Sequence, residues 1–163
     1  MPQNVLVSVL GEGAYLQPLV RAILKREPIP ARNLCLSAKN AAACQAAEGY
    51  AARICEDAAA AILNSEIVLV TASRREMPTC LAQISDCTQK RVLVTVCDDA
   101  RVNLAYVVER IAGATEFVAA VLHKGEGGRF FASYEIADKT RLFLHQPCRD
   151  LVDALCEELN TAG

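Results

Sequence analysis

Two groups of residues in this 163-residue chain have the types and spacing for holding phosphate, and a third stands where the rest of such a ligand would lie. The first is a Gly-x-Gly turn. Gly11 and Gly13 bracket Glu12 directly after the apolar run Val5 to Leu10, and Ala14 and Tyr15 lead into a segment where Leu16, Leu19, Val20, Ile23 and Leu24 recur at helical spacing. Strand, glycine turn and helix in that order form the mouth of a dinucleotide-binding βαβ unit. Gly11 makes the tight turn, Gly13 lets the backbone approach a pyrophosphate, and the helix N-terminus offers free N–H groups. The second group is Ser37, Lys39 and Asn40, at the end of the next predicted strand. A site built for NAD places Asp or Glu there, about 20 residues past the turn, to bond the ribose 2′-OH. Here the residues are a hydroxyl, an ammonium and an amide, which suit a 2′-phosphate and hence NADP; the alternative is a polar loop with an ordinary helix cap at Asn40. Thr71 and Ala72, at the end of the fourth predicted strand, are the third group. The expected cofactor set is therefore Gly11, Glu12, Gly13, Ala14, Tyr15, Ser37, Lys39, Asn40, Thr71 and Ala72, with no metal.

Other reactive side chains give no second site. The eight cysteines, at 35, 44, 55, 80, 87, 97, 148 and 156, contain no C-x-x-C pair and read as small buried hydrophobes. His123 ends a strand and reads as a solvated turn residue, with a proton-donor role as the competing possibility. His145 precedes the last helix. Arg74 and Arg75 follow the fourth strand and read as surface charges, and Asp98-Asp99 as the loop leading into a helix. No P-loop pattern is present, and no Ser-His-Asp or Cys-His arrangement can be assembled.

The elements that must position these groups alternate. Strands are expected at 4–10, 33–37, 52–54, 66–71, 91–96, 117–122 and 129–136. Helices are expected at 15–26, from Asn40 to near Gly49, at 56–64, up to about Asp86, at 101–112 and from Pro147 onward. Ile67 to Val70 is a continuous apolar run, typical of a strand covered on both faces. Lys124 to Gly128 is a glycine-rich turn joining the last two strands. The pattern gives an α/β, doubly wound, Rossmann-like and mostly parallel sheet, with residues 1–163 as one domain.

Composition excludes other classes. Apolar residues at 53% and charged residues at 22% exclude a disordered chain, and the net charge of −2 provides no basic field for nucleic acid. No apolar run approaches the roughly 18 residues of a membrane span. The chain moves into strand at once, without a basic leader, so a cytoplasmic location is expected.

The residues now on the page resemble the N-terminal domain of pyrroline-5-carboxylate reductase and the wider 6-phosphogluconate-dehydrogenase-like reductases. The likeness rests on strand-Gly-x-Gly, Leu-Val-Arg-Ala-Ile-Leu at 19–24, Pro-Ala-Arg-Asn at 30–33 and Leu-Ser-Ala-Lys-Asn at 36–40. It continues more weakly at 65–70, 91–96 and 125–127. It implies a Rossmann fold and NADPH as hydride donor to a cyclic imine. Several positions depart from the family pattern. Leu16 replaces the third glycine or alanine, Pro18 is expected to delay the helix start, and Glu12 puts a negative charge beside the phosphate position. Ser73-Arg74 stands for the family's Lys-Pro, Cys97-Asp98-Asp99 for a small glycine-containing segment, and Val121 to Gly125 for a Met-Pro-Asn-Thr-Pro turn. The family's helical C-terminal domain has no counterpart in this sequence. With positive mean hydropathy, the uncovered sheet is expected to require a second copy or a partner protein, unless the last helix folds back to cover it. Two functions follow: an NADPH-dependent reductase completed by association, or a non-catalytic Rossmann module that senses a ligand or serves a larger assembly.

Overall fold

A computed structural model of the chain describes residues 5–99, 116–136 and 145–162. The helix expected at 101–112 lies outside them. Seven strands form one sheet: β1 (Val7–Gly11), β2 (Leu34–Ser37), β3 (Arg53–Cys55), β4 (Ile67–Thr71), β5 (Val92–Cys97), β6 (Glu116–Lys124) and β7 (Phe130–Ile136). Their spatial order is β3-β2-β1-β4-β5-β6-β7. All neighbours pair in parallel except β6 and β7, which form an antiparallel hairpin across the glycine-rich turn. The fold is the doubly wound α/β fold expected from the alternation of elements. Strand order reverses between β1 and β4, and the crevice outside that point is where such sheets bind ligands.

Five helices flank the sheet among the described residues: α1 (Leu16–Arg26), α2 (Ala41–Ala46), α3 (Ala58–Leu63), α4 (Met77–Ile84) and α5 (His145–Ala162). Alternation along the strands divides the core into two layers. Val7, Val9, Ile67, Leu69, Val94 and Val96 face Leu19, Val20 and Ile23 of α1 and Leu151, Val152 and Leu155 of α5. Leu10, Val68, Val70 and Leu93 face Ile62 of α3 and Met77 and Leu81 of α4. Every residue of β4 is therefore buried, which accounts for its unbroken apolar run.

The structure corrects several boundaries. Pro18 does not delay α1, which begins at Leu16. At the third helical position its missing N–H is one of the donors a helix start leaves unpaired in any case. A 3₁₀ turn occupies Ala31–Asn33, so β2 begins one residue later than expected. α2 ends at Ala46, before the glycine, and α5 begins at His145 rather than after it. α5 folds back onto the layer that contains α1. Lys25 and Arg26 reach Glu158 at 3.3 Å each, and Asn160 both accepts from the Phe130 N–H and donates to the Phe130 carbonyl. On this layer the last helix, within the same chain, covers the apolar strands.

All eight cysteines are free thiols. Cys35, Cys97, Cys148 and Cys156 are buried and the others half-buried. Among the described residues no group of acidic, cysteine or histidine side chains has the makings of a metal site, and no helix is long and apolar enough to cross a membrane.

Candidate functional site

The glycine turn sits at the strand-order reversal, and its shape is dictated by β4. Gly11 lies opposite Thr71 in the ladder, with φ +112°, and the Glu12 N–H donates to the Thr71 carbonyl at 3.0 Å. A Cβ on Gly11 would run into that carbonyl oxygen. Only glycine has both the backbone freedom and the space. Gly13, at φ +100°, is different, since a Cβ there would meet no atom within 4 Å. Its surroundings are open. The Leu16 N–H donates back to the Gly13 carbonyl at 3.3 Å, whereas among the described residues no backbone carbonyl accepts from the N–H groups of Gly13, Ala14 or Tyr15. Three backbone donors are thus left without a carbonyl partner at the start of α1, where the helix dipole favours an anion. Neither neighbouring large side chain fills the space. Leu16, the first residue of α1, is buried in the core at the edge of the larger cavity, and Tyr15 hydrogen-bonds Asp98 in the wall of the smaller one.

Two cavities flank this turn. The larger, of about 680 Å³, runs from α1 and α2 across the ends of β1 and β2 to α3 and α4. Gly11, Glu12, Gly13, Ala14, Ser37, Lys39 and Asn40 all line it, so the structure brings together the residues expected from two separate strand ends. Asn40 is committed to the fold: its carbonyl oxygen accepts from the Ala43 N–H at 3.2 Å, capping α2, and its amide donates to the Gly11 carbonyl at 3.1 Å. The helix-cap reading holds for Asn40, and the same side chain also fastens α2 to the glycine turn. Ser37 Oγ accepts from the Lys39 N–H at 3.1 Å and keeps its own proton to donate. Lys39 is exposed, and among the described residues no carboxylate pairs with it.

The structure adds residues that the spacing argument did not identify. Arg21 and Gln17 of α1 line the α2 end of the large cavity, and Ala58, Cys80, Gln83 and Ile84 line the other. Gln17 and Arg21 are four apart on a helix, and that spacing was the one available signal. Nothing local marks the α4 residues. Cys80 has its thiol pKa pushed up by burial, then by the Glu12 and Glu76 carboxylates.

The smaller cavity, of about 260 Å³, is lined by Glu12 to Tyr15, Thr71 to Ser73, Glu76 and Asp98. Tyr15, Thr71 and Ala72 belong to this half. The Tyr15 hydroxyl donates to Asp98 Oδ2 at 2.9 Å. Burial, and the proton held between Tyr15 and this carboxylate, push the phenol up to about 12. The Thr71 hydroxyl is buried without a hydrogen-bond partner among the described residues. Among the described residues, three carboxylates and no cation line this half.

The remaining candidates stand elsewhere. His123 stacks on Phe131 and shares a 2.7 Å hydrogen bond with Ser133 of β7, a cross-strand pair outside both cavities. Arg74 and Arg75 are exposed and line neither cavity. Asp98 belongs to the small cavity through Tyr15.

No protein-family model matches the chain, and no curated protein matches it. Solved structures do. The pyrroline carboxylate reductase of Plasmodium falciparum with NADP bound superposes with a TM-score of 0.73 at 12% identity, over 94% of this chain and 56% of that one. The pyrroline-5-carboxylate reductase of Coxiella burnetii gives 0.74 at 11%, over 93% and 56%. The imine reductase of Myxococcus stipitatus in complex with NADP+ gives 0.60 at 13%, over 92% and 52%. The chain thus spans about half the length of the reductases it matches. It has the α/β fold found in pyrroline-5-carboxylate and imine reductases, in keeping with the resemblance carried by its first strands and turns.

Proposed function

We propose that this chain is an NADP(H)-binding domain. The observation that carries the reading is the pair of cavities meeting at Gly13, with three unpaired amides between them. A dinucleotide has the same bipartite form: two nucleoside halves joined by a diphosphate. The diphosphate would lie on the amides of Gly13, Ala14 and Tyr15, and the adenosine half in the larger cavity. There Ser37 and Lys39 suit a 2′-phosphate, and Ala58, Cys80 and Ile84 offer an apolar lining for a base. The nicotinamide half would extend over Thr71 and Ala72 into the smaller cavity, where the unpartnered Thr71 hydroxyl awaits a polar group. NADPH supplies a hydride when bound; the residues of this chain bind and orient it.

The lining of the smaller cavity favours a binding module over a self-sufficient reductase. Glu12, Glu76 and Asp98 give it negative charge, and the Tyr15 phenol, held well above its ordinary pKa of 10.0, is a poor proton donor at neutral pH. In this reading, reduction of an imine requires surfaces from a second copy or a partner protein.

Calorimetric titration with NADPH and NADH tests the proposal. NADPH should bind more tightly, and Lys39→Ala should weaken NADPH far more than NADH. Equal losses would contradict the 2′-phosphate contact. No heat from either cofactor at millimolar concentration would remove the dinucleotide reading. Oxidation of NADPH by a small cyclic imine, followed at 340 nm, distinguishes reductase from module.

A further inference from the structure

The larger cavity contains a cation that the dinucleotide reading does not use. Arg21 is exposed on the second turn of α1, and among the described residues no carboxylate pairs with it. It shares the cavity lining with Lys39, Ser37 and the first residues of α2. The wall between them is fixed. Gln17, one turn before Arg21 on the same helix, donates from its amide to the Ala42 carbonyl at 3.0 Å and lies 3.4 Å from Gln45 Oε1. α1 and α2 are thereby fastened side by side, with Arg21 one turn farther along.

A phosphate monoester close to dianionic is held more tightly by two positive partners than by one. Asn40, the remaining polar residue of the β2–α2 loop, has both ends of its carboxamide engaged in capping α2 and tying it to Gly11. The charge-bearing donors that remain on this cavity are Lys39 and Arg21. The two differ in what they provide: Lys39 a point charge, Arg21 a planar fork that can bond two phosphate oxygens at once. Among the described residues, the one carboxylate lining the same cavity is Glu12, at the glycine turn.

We propose that Arg21 reaches from α1 to the phosphoryl group held by Lys39, so that selection of NADP(H) over NAD(H) is shared between α1 and the β2–α2 loop. This inference rests on the dinucleotide reading, because it assigns Arg21 to the adenosine half of that same site.

The test is calorimetric titration of wild type, Arg21→Ala and Arg21→Glu with NADPH, NADH, 2′-phospho-ADP-ribose and ADP-ribose. Arg21 is exposed, so both variants should fold, and thermal melts check this. Arg21→Ala should weaken NADPH and 2′-phospho-ADP-ribose by about ten-fold, the scale of one charged hydrogen-bonded contact near solvent. NADH and ADP-ribose should change by less than about two-fold, the difference expected when only the phosphate contact is lost. Arg21→Glu should widen the gap. Binding of NADPH by wild type with the same affinity in Arg21→Ala would overturn the inference and leave the dinucleotide reading standing. So would an equal loss for all four ligands. Failure of wild type to bind any of them would overturn both.

Discussion

Replacing Gly11 by alanine tests the geometry on which the site depends, because the cost can be worked out from separate causes. At φ +112° an L-residue is strained by about 1–2 kcal/mol. The added methyl meets the Thr71 carbonyl, inside a paired β1–β4 ladder that cannot move away without disturbing both core layers, and overpacking of this kind costs about 1–3 kcal/mol. If the turn shifts to relieve the collision, the hydrogen bond from Glu12 to Thr71 is lost at about 1 kcal/mol. Strain and overpacking together give about 2–5 kcal/mol, and relief of the collision would exchange part of that for the lost hydrogen bond; this is a large share of the roughly 5–15 kcal/mol that holds a domain folded. Gly13→Ala provides the control: it has the same left-handed backbone and open space around the Cβ, so its cost should stay near the strain alone, about 1–2 kcal/mol. Urea denaturation of both variants, read by circular dichroism, measures the difference. If Gly11→Ala proves no more costly than Gly13→Ala, the close approach of β1 to β4 is not what fixes the turn, and the argument for the site's rigidity fails.

Further measurements probe other parts of the structure. Asn40→Ala should lose about 1–2 kcal/mol of stability through the cap of α2 and the tie to Gly11, and should weaken both NADPH and NADH because the turn is no longer fastened; selective loss of NADPH alone would make Asn40 a phosphate contact instead. Glu158→Ala should destabilise by about 1–3 kcal/mol because Lys25 and Arg26 converge on a side chain only 10% exposed. Glu157→Ala, at 66% exposure, should cost below about 0.5 kcal/mol, and equal melting shifts for the two would refute the assignment. The Cys80 thiol is raised above its ordinary value of 9.0, so its thiolate fraction is small at neutral pH and still climbs steeply past pH 8. Its alkylation, followed by mass spectrometry of the Cys80 peptide, should still be accelerating as the pH rises past 8 and should slow when NADPH is bound; a plateau by pH 8 or indifference to the cofactor would contradict the environment described.

The sequence was legible wherever one local periodicity or one stereochemical demand decided the outcome. Ile67 to Val70 could only be a strand covered on both sides, the apolar spacing from Leu16 to Leu24 could only be one face of a helix, and glycines at 11 and 13 announced a turn that other residues resist. Element type, element order and the mostly parallel sheet follow from such short-range patterns, as do the two strand ends that line the larger cavity. Decisions that depend on what meets across the sheet were not legible. The reason Gly11 tolerates no side chain is a carbonyl 60 residues away, at Thr71. The commitment of Asn40 and the turning of Tyr15 toward Asp98 are likewise contacts between segments distant along the chain, and Arg21 comes to line the same cavity as Lys39 only through packing of that kind. Local pattern reports which face of an element is apolar; it does not report which polar group from another element will stand opposite. That choice is made when the layers pack, and in this protein it separates polar residues that hold the fold, such as Asn40, from those left exposed on the cavity, such as Lys39 and Arg21.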